Sequence, residues 1–470
     1  MRDDDYPAGL NWNGQSWKRH PEADGFVRFL VGDMCEDIPV LKRFRAELMN
    51  RAGLNVLDVV DHLVLRGSEP RETLHGFGYQ LECTGSSGAV YYHPGADLPR
   101  ILVESPYESK TRKISGIALR CDSVVQAVEA LTALGFKVGY IEGTPGGRLA
   151  RVRLPGTEEV LRIWFVERRA TRAMGYIHED PGFMDQLEKA RSLWRARDRW
   201  CRECKEAHFG EELLRLSGRV KELVPVDLAA ALFLEVERDY WQSRNMAARR
   251  QKDRLDGLGL GWASRDHHTF RCSRAAFKAT INFFESLGFR RRERFDAGDS
   301  AGWGAQVLEN HVEGAVIFVD VDLLPGEQSI DYAREDLPPA PKLGVIGRWC
   351  ALHGMSVANA GLHHLEIKCA FEACRAIELA SGFGVMEPFN ESPELHQAFT
   401  AAERWPVKEY CLLSLVKAGK ITAEEAEQIR QNEAPGSHLE HLERAWGYKG
   451  FSKESVSRAI HSTEELGPKP

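Results

Sequence analysis

The chain has 470 residues, of which 43% are hydrophobic and 28% charged, and its 62 basic and 69 acidic side chains give a net charge of −7. This length exceeds what one hydrophobic core usually organises and predicts two or three domains. The acidic balance argues against a general nucleic-acid or anionic-membrane binder, because either would need a basic surface.

No targeting segment is recognisable. The first five residues are acidic and lack the apolar stretch of a signal peptide, and no run approaches the length of a membrane span. The ten cysteines follow no framework spacing. We therefore expect a cytoplasmic protein with reduced thiols and with neither a membrane nor a nucleic-acid partner.

Hydrophobic periodicity divides the chain into alternating helical and β-rich stretches. Two helices open the chain, and charged helices separate two β-rich halves. We predict a helical lead-in at residues 1–57, a first β-rich half of two modules at 58–170, a helical linker at 180–258, a second half at 259–403 and a helical C-terminal region at 404–470.

The β-rich halves are built from a repeated unit, which is clearest at residues 114–169. A strand is followed by a helix with apolar residues on one face, by Gly135 as a left-handed helix end, and by three strands separated by Pro-Gly turns. The same βαβββ order recurs at residues 266–324, and Leu-Gly-Phe ends the helix in both units. The predicted class is α+β, made of repeated βαβββ modules with a helical insert.

The first strand of each module carries a related motif. Residues 265–271 contain His267 and, four positions on, Arg271; residues 61–66 contain His62 and Arg66, and residues 362–368 contain His364 and Lys368. The remaining copy, residues 115–120, has Gly116 in place of histidine.

Alternation along a strand places His267, Thr269 and Arg271 on one face. An imidazole and a guanidinium that project into one cavity suit a metal-bound, anionic small molecule. His268 and His363 would point to the opposite face and are interpreted as structural.

Four copies of this unit resemble the vicinal oxygen chelate superfamily, in which paired βαβββ modules curve into an open barrel around a divalent metal. Residues from 266 to the C-terminal helices more closely resemble the iron-dependent 2-oxoadipate dioxygenase/decarboxylase family. That family has His-x-x-x-Arg on one first strand, as at His267 and Arg271, and Asn-His-Leu-x-x-Arg on a later one, which residues 363–368 resemble with Lys368 for arginine.

The resemblance implies an Fe(II) site, or a site for another divalent metal, in the second half. Its metal ligands would be His267, His364 and a glutamate just before the C-terminal helices, for which Glu403 is the nearest candidate. Asp320 and Asp322 compete for the third position. Two histidines and one carboxylate with open positions are typical of non-haem Fe(II) oxygenases.

Arg271 is the candidate catalytic residue, as a bidentate clamp for a substrate carboxylate. His62, Arg66 and Glu104 form a second candidate set in the first half. Because the neighbouring module has Gly116, we favour a first half that has lost its metal. An alternative is that His62 and His267 share one metal across the two halves.

The predicted function is a non-haem Fe(II)-dependent dioxygenase/decarboxylase that acts on a small 2-oxo (di)carboxylic acid with O₂. Two alternatives stay open: a metal-dependent isomerase or lyase of the same fold, and a non-catalytic module that binds a small ligand.

Overall fold

The computed structural model describes residues 17–66, 69–85, 87–104, 114–155, 161–199, 206–298 and 301–451. The expected lead-in and C-terminal region therefore extend at both ends beyond the described residues. The described chain begins with two helices, α1 (Pro21–Asp37) and α2 (Pro39–Ala52). Their apolar faces are buried, and α2 ends at Gly53 in the left-handed conformation at φ 64°.

The first half forms a sheet with strand order β2-β3-β4-β1-β5-β8-β7-β6. Strands β1 and β5 meet antiparallel at its centre, and each pairs in parallel with the last strand of its own module. Its elements are β1 (Val60–Arg66), α3 (Glu69–Gly76), β2 (Gln80–Gly85), β3 (Gly88–Tyr92), β4 (Arg100–Glu104), β5 (Ile114–Cys121), α4 (Val124–Ala133), β6 (Ile141–Gly143), β7 (Leu149–Leu154) and β8 (Arg162–Arg168).

Four helices then separate the halves: α5 (Pro181–Arg195), α6 (Glu206–Lys221), α7 (Val226–Gln242) and α8 (Met246–Asp256). The sequence predicts one helix over 227–254, but Asn245 interrupts it, because its side chain accepts a hydrogen bond from the backbone N–H of Ala248 and starts α8. This helical region also packs against the second sheet. Phe233 of α7 stacks on Phe270, 6.1 Å between ring centroids, at the outer face of the second sheet.

The second half repeats the same order as β10-β11-β12-β9-β13-β17-β15-β14, with β16 paired to β17. Its elements are β9 (Arg265–Arg271), α9 (Phe277–Ser286), β10 (Arg290–Asp296), β11 (Trp303–Asn310), β12 (Ala315–Asp322), α10 (Val345–His353), β13 (His364–Lys368), α11 (Phe371–Ala380), β14 (Asn390–Ser392), β15 (Leu395–Phe399), β16 (Glu403–Trp405), α12 (Glu409–Lys417), α13 (Ala423–Asn432) and β17 (Ala434–Arg444).

The architecture is α+β and contains the four βαβββ modules that the sequence predicts. One hydrophobic cluster runs from α1 through both sheets and the intervening helices. Among the described helices, none combines the length and the apolar character needed to cross a membrane.

The C-terminal region departs from the all-helical expectation. Helix α13 forms as predicted, with Thr422 and Glu425 in a reciprocal capping box. The chain then forms β17, which lies between β13 and β15 inside the second sheet. Helices α12 and α13 are thus an insertion within the fourth module, and its last strand follows them.

Candidate metal centre

The inner face of β9 carries His267, Thr269 and Arg271, which are 3%, 2% and 6% exposed. Strand β9 pairs antiparallel with β13, which sets Thr269 opposite His364. The first strands of the two modules therefore bring their histidines to the centre of the sheet.

Strand β17 adds an acidic residue, Glu440, to the site. It runs parallel to β13, with His438 beside His364 and Glu440 beside Glu366. Since alternate residues share a strand face, these four side chains form two neighbouring rows on the face that also carries His267.

Two histidines and a glutamate converge there. Nε2 of His364 lies 3.0 Å from Oε2 of Glu440, and Nε2 of His267 lies 4.0 Å from the same oxygen. One donor atom from each of the three lies within 4.8 Å of the others. Nδ1 of His267 is 3.2 Å from Oε1 of Glu366, which places a second carboxylate behind the cluster.

Buried polar contacts hold these side chains in place. Asp266 contacts Nδ1 of His267 through Oδ2 at 3.2 Å, and Arg444 donates to both oxygens of Asp266 at 2.9 and 3.0 Å. Nε2 of Gln397 donates to Oε1 of Glu440 at 3.1 Å. An ordered carboxylate behind a histidine fixes which nitrogen faces a metal.

The charges of the cluster are strongly coupled. Burial disfavours the imidazolium of His267, but the carboxylates of Glu366 and Asp266 raise its pKa to about 10. Burial and the nearby charge of His267 hold the pKa of His364 well below its usual range. Burial and the neighbouring carboxylate of Glu440 raise the pKa of Glu366 well above its usual range. Binding of a cation at this cluster would release protons, since metal binding and proton release are linked.

A cavity of about 50 Å³ lies against the cluster. Phe451 closes one side, with its ring centroid 5.1 Å from that of His267, and Cζ of Arg444 lies 4.8 Å from the same ring. The apolar wall consists of Phe295, Trp303, Phe318, Phe389, Phe399 and Phe451.

The donor set fits a divalent metal. The two imidazoles and the carboxylate come from three strands, and a cavity lies on the open side of the group. This is the 2-His-1-carboxylate arrangement of non-haem Fe(II) sites. Oγ1 of Thr269, which lines the same cavity, is buried without a hydrogen bond. Buried hydroxyls are normally paired, so the site has room and polarity for further ligands.

Arg271 lies farther along β9 than the metal cluster. Its guanidinium carbon is 5.5 Å from the ring centroid of Trp349. Arg271 is not among the described residues that line the cavity. Asp320, its parallel neighbour on β12, does line the cavity, and burial raises the pKa of Asp320 to about 7.

The structure places the other predicted third ligands elsewhere. Glu403 accepts a hydrogen bond from the backbone N–H of Met246 at 3.0 Å and is not part of the cluster. The carboxylate of Asp322 accepts three backbone N–H groups at the start of α10, each at 2.9 Å. Glu440 is the carboxylate that lies within 4.8 Å of both histidines, whereas the sequence suggested Glu403, Asp320 or Asp322.

Of the candidate set of the first half, Arg66 and Glu104 contact each other, whereas His62 contacts Asp61. Nδ1 of His62 lies 2.7 Å from Asp61, while Arg66 and Arg162 both pair with Glu104, at 2.9 and 2.6 Å. His62 and His267 lie on strands of different sheets, and no metal-ligating group among the described residues contains both.

Sequence reasoning missed Glu440, Glu366 and Gln397. Residues 437–443 contain only two apolar side chains, Leu439 and Leu442, which are three positions apart. No period of two therefore marks this strand in the sequence.

Comparisons with known proteins complete the description. No protein-family model and no curated protein sequence matches the chain. A solved glyoxalase superfamily protein from Ralstonia eutropha JMP134 is similar at 13% sequence identity; the match covers 57% of this chain and 96% of that chain, with a TM-score of 0.33. A variant of 4-hydroxymandelate synthase from Streptomyces coelicolor is similar at 12% identity, and the match covers 87% of this chain and 98% of that chain, with a TM-score of 0.29. Methylmalonyl-CoA epimerase from Mycobacterium tuberculosis is similar at 14% identity, and the match covers 38% of this chain and 87% of that chain, with a TM-score of 0.23. TM-scores this low say nothing about the reaction of this chain.

Proposed function

We propose that this protein is a non-haem Fe(II)-dependent dioxygenase and decarboxylase that acts on a small 2-oxo (di)carboxylic acid. The observation that carries the proposal is the buried cluster of His267, His364 and Glu440 beside a cavity. The motif resemblance to the 2-oxoadipate dioxygenase/decarboxylase family, at His267, Arg271 and His364, supports the substrate class.

When bound, Fe(II) would supply the redox chemistry that amino-acid side chains lack. Three protein ligands leave coordination positions for a chelating 2-oxo acid and for O₂. Asp266 orients His267, and Gln397 orients Glu440, so that both ligand atoms face the cavity. The aromatic wall excludes bulk water and strengthens electrostatic contacts within the site.

Arg271 is proposed to bind the far carboxylate of a dicarboxylic substrate. It shares its strand face with His267, and a guanidinium binds a carboxylate through two parallel hydrogen bonds. Replacing Arg271 with lysine keeps the charge but loses the fork, so KM should rise while metal content stays unchanged. Unchanged kcat/KM for a 2-oxo dicarboxylate in Arg271→Ala would remove Arg271 from the site.

The decisive experiment is anaerobic reconstitution with Fe(II), followed by a screen of 2-oxo acids for O₂ uptake and CO₂ release. His267→Ala, His364→Ala and Glu440→Ala should each lose iron and turnover. Glu403→Ala and His62→Ala serve as matched controls and should keep both. Full iron content in the first three variants would refute the metal assignment.

A metal-dependent isomerase or lyase is the second candidate, because Glu366 provides a buried carboxylate behind the ligands that could move a proton. Oxygen dependence separates the two: turnover of a substrate without O₂ uptake would favour the isomerase or lyase. Stoichiometric binding of a small acid without turnover would instead indicate a ligand-binding module.

A further inference from the structure

A second group of potential metal ligands lies on the opposite face of β13 and β17. Cys369 follows β13, Cys374 and Glu378 lie one turn apart on α11, and His441 follows Glu440 on β17. All four side chains are fully buried. Because neighbouring residues of a strand point to opposite faces, His441 projects away from the candidate iron cluster.

The four side chains are close together. A sulfur of Cys374, a carboxylate oxygen of Glu378 and a ring nitrogen of His441 lie within 4.8 Å of one another. The thiol of Cys369 lies beside that of Cys374. The spacing of Cys374 and Glu378, four residues apart, puts both on the same face of α11.

Several polar atoms in this group have no partner. Neither Nδ1 nor Nε2 of His441 forms a hydrogen bond of acceptable geometry, and Oε2 of Glu378 forms none either. Buried polar atoms are paired in the great majority of cases, so three such atoms at one place indicate a missing partner. The polar side chain beside the His441 ring is the thiol of Cys374, which is itself a metal-ligating group.

A divalent cation would also balance the charge. Two thiolates and the carboxylate of Glu378 together carry three negative charges. Nη1 of Arg254 donates to Oε1 of Glu378 at 2.5 Å and supplies one positive charge. A divalent ion would supply the other two and leave a neutral buried group, as burial requires.

We infer that Cys369, Cys374, Glu378 and His441 bind a structural zinc ion. Two sulfurs, one imidazole nitrogen and one carboxylate oxygen form a closed four-ligand set, which is typical of structural rather than catalytic zinc. Tetrahedral ligands about 2.0–2.3 Å from zinc lie roughly 3.3–3.8 Å apart, so the ligand atoms of Cys374, Glu378 and His441 would need to approach one another by at most about 1.5 Å. The ion would join α11 to β17 directly behind Glu440.

Sulfur ligation makes the inference testable independently of the proposed iron site, whose ligands contain no sulfur. Metal-stripped full-length protein is titrated with Co(II), and thiolate-to-Co(II) charge transfer is recorded in the near ultraviolet. The band should saturate at one equivalent and disappear when Zn(II) is added. Cys374→Ser should weaken or abolish it, whereas Cys411→Ser, at a half-buried cysteine on α12, should retain it.

Metal analysis of protein purified with zinc should show one zinc that His364→Ala keeps and Cys374→Ser loses. If Cys374→Ser does not fold, the titration of the wild-type protein still decides. A folded wild-type protein that develops no thiolate band at saturating Co(II), or a band that is unchanged in folded Cys374→Ser, would overturn the inference.

Discussion

A Cβ atom at Gly116 would lie 2.6 Å from Cζ3 of Trp164 and 2.9 Å from the carbonyl oxygen of Arg162. Gly116 stands where the related motifs carry histidine, and the indole of Trp164 occupies the space that such a side chain would need. Around it, Val64, Leu102 and neighbouring apolar residues form a separate hydrophobic cluster. The interior of the first half is therefore filled with side chains where the second half has a cavity.

This contact predicts that Gly116→Ala destabilises the protein. The backbone oxygen of Arg162 cannot move aside cheaply, so overpacking should cost about 1–3 kcal/mol in the free energy of unfolding. The measurement is the denaturation midpoint in urea. Gly85→Ala, also in a strand but with no heavy atom within 4 Å, is the control and should shift the midpoint much less. Equal shifts would contradict the steric explanation.

Arg444 should set metal affinity without touching the metal. Arg444 donates hydrogen bonds to both oxygens of Asp266, and Asp266 orients His267. Arg444→Gln removes the positive charge of this support. Loss of a group that orients a metal ligand typically weakens metal binding about 10–100-fold. Competition with a chelator measures the affinity. Arg430→Gln, which breaks an exposed pair with Glu409, should leave affinity unchanged. Wild-type affinity in Arg444→Gln would argue against this support.

Phe451 should limit the size of the substrate. The cavity of about 50 Å³ is much smaller than the 300–1,000 Å³ typical of ligand pockets, and Phe451 forms one of its walls. Phe451→Ala should therefore lower KM for bulkier 2-oxo acids relative to small ones, with little change in metal content. Phe26→Ala, which removes a ring stacked on Phe77, is the control. Identical substrate preference in wild-type and Phe451→Ala proteins would exclude Phe451 as a barrier.

His353 should make stability depend on pH. Burial lowers the pKa of His353 to about 4, whereas an unfolded histidine titrates near 6.5. Between these values the unfolded state binds a proton that the folded state does not, so the free energy of unfolding falls as pH falls through 6.5 and levels off below 4. His353 alone should lower the free energy of unfolding by about 2 kcal/mol between about pH 7 and about pH 5.

His353→Gln tests this dependence, since glutamine can still donate to the carbonyl of Pro435, which Nε2 of His353 contacts at 3.0 Å. Urea denaturation at both pH values should show a smaller difference for the variant than for the wild type. A difference of the same size would assign the pH dependence to other groups.

The repeated modules could be predicted because each carries its own local signals. Gly135 and Gly288 both end a helix with positive φ, at 75° and 81°, and the apolar faces of α4 and α9 are buried as their spacing indicates. The first-strand histidines could be found because they recur. These signals lie within short stretches of the chain.

Glu440 could not be placed by the same reasoning. The residue that completes the cluster lies beyond two inserted helices, and only the pairing of β17 with β13 brings it beside Glu366. Glu403 looked plausible by position along the chain, yet it pairs with Ser437 at the edge where β16 meets β17. Long-range strand pairing decides between the two glutamates, and it leaves little trace in local sequence.

The place of β17 has a consequence for how the protein is made. The strand is among the last described segments of the chain, yet it fills the position between β13 and β15. During synthesis, the edges of β13 and β15 that pair with β17 stay unpaired until β17 has been translated. Such non-local pairing is slow, and exposed edges invite pairing with other chains. We expect nascent chains stalled before residue 434 to aggregate and to depend on chaperones.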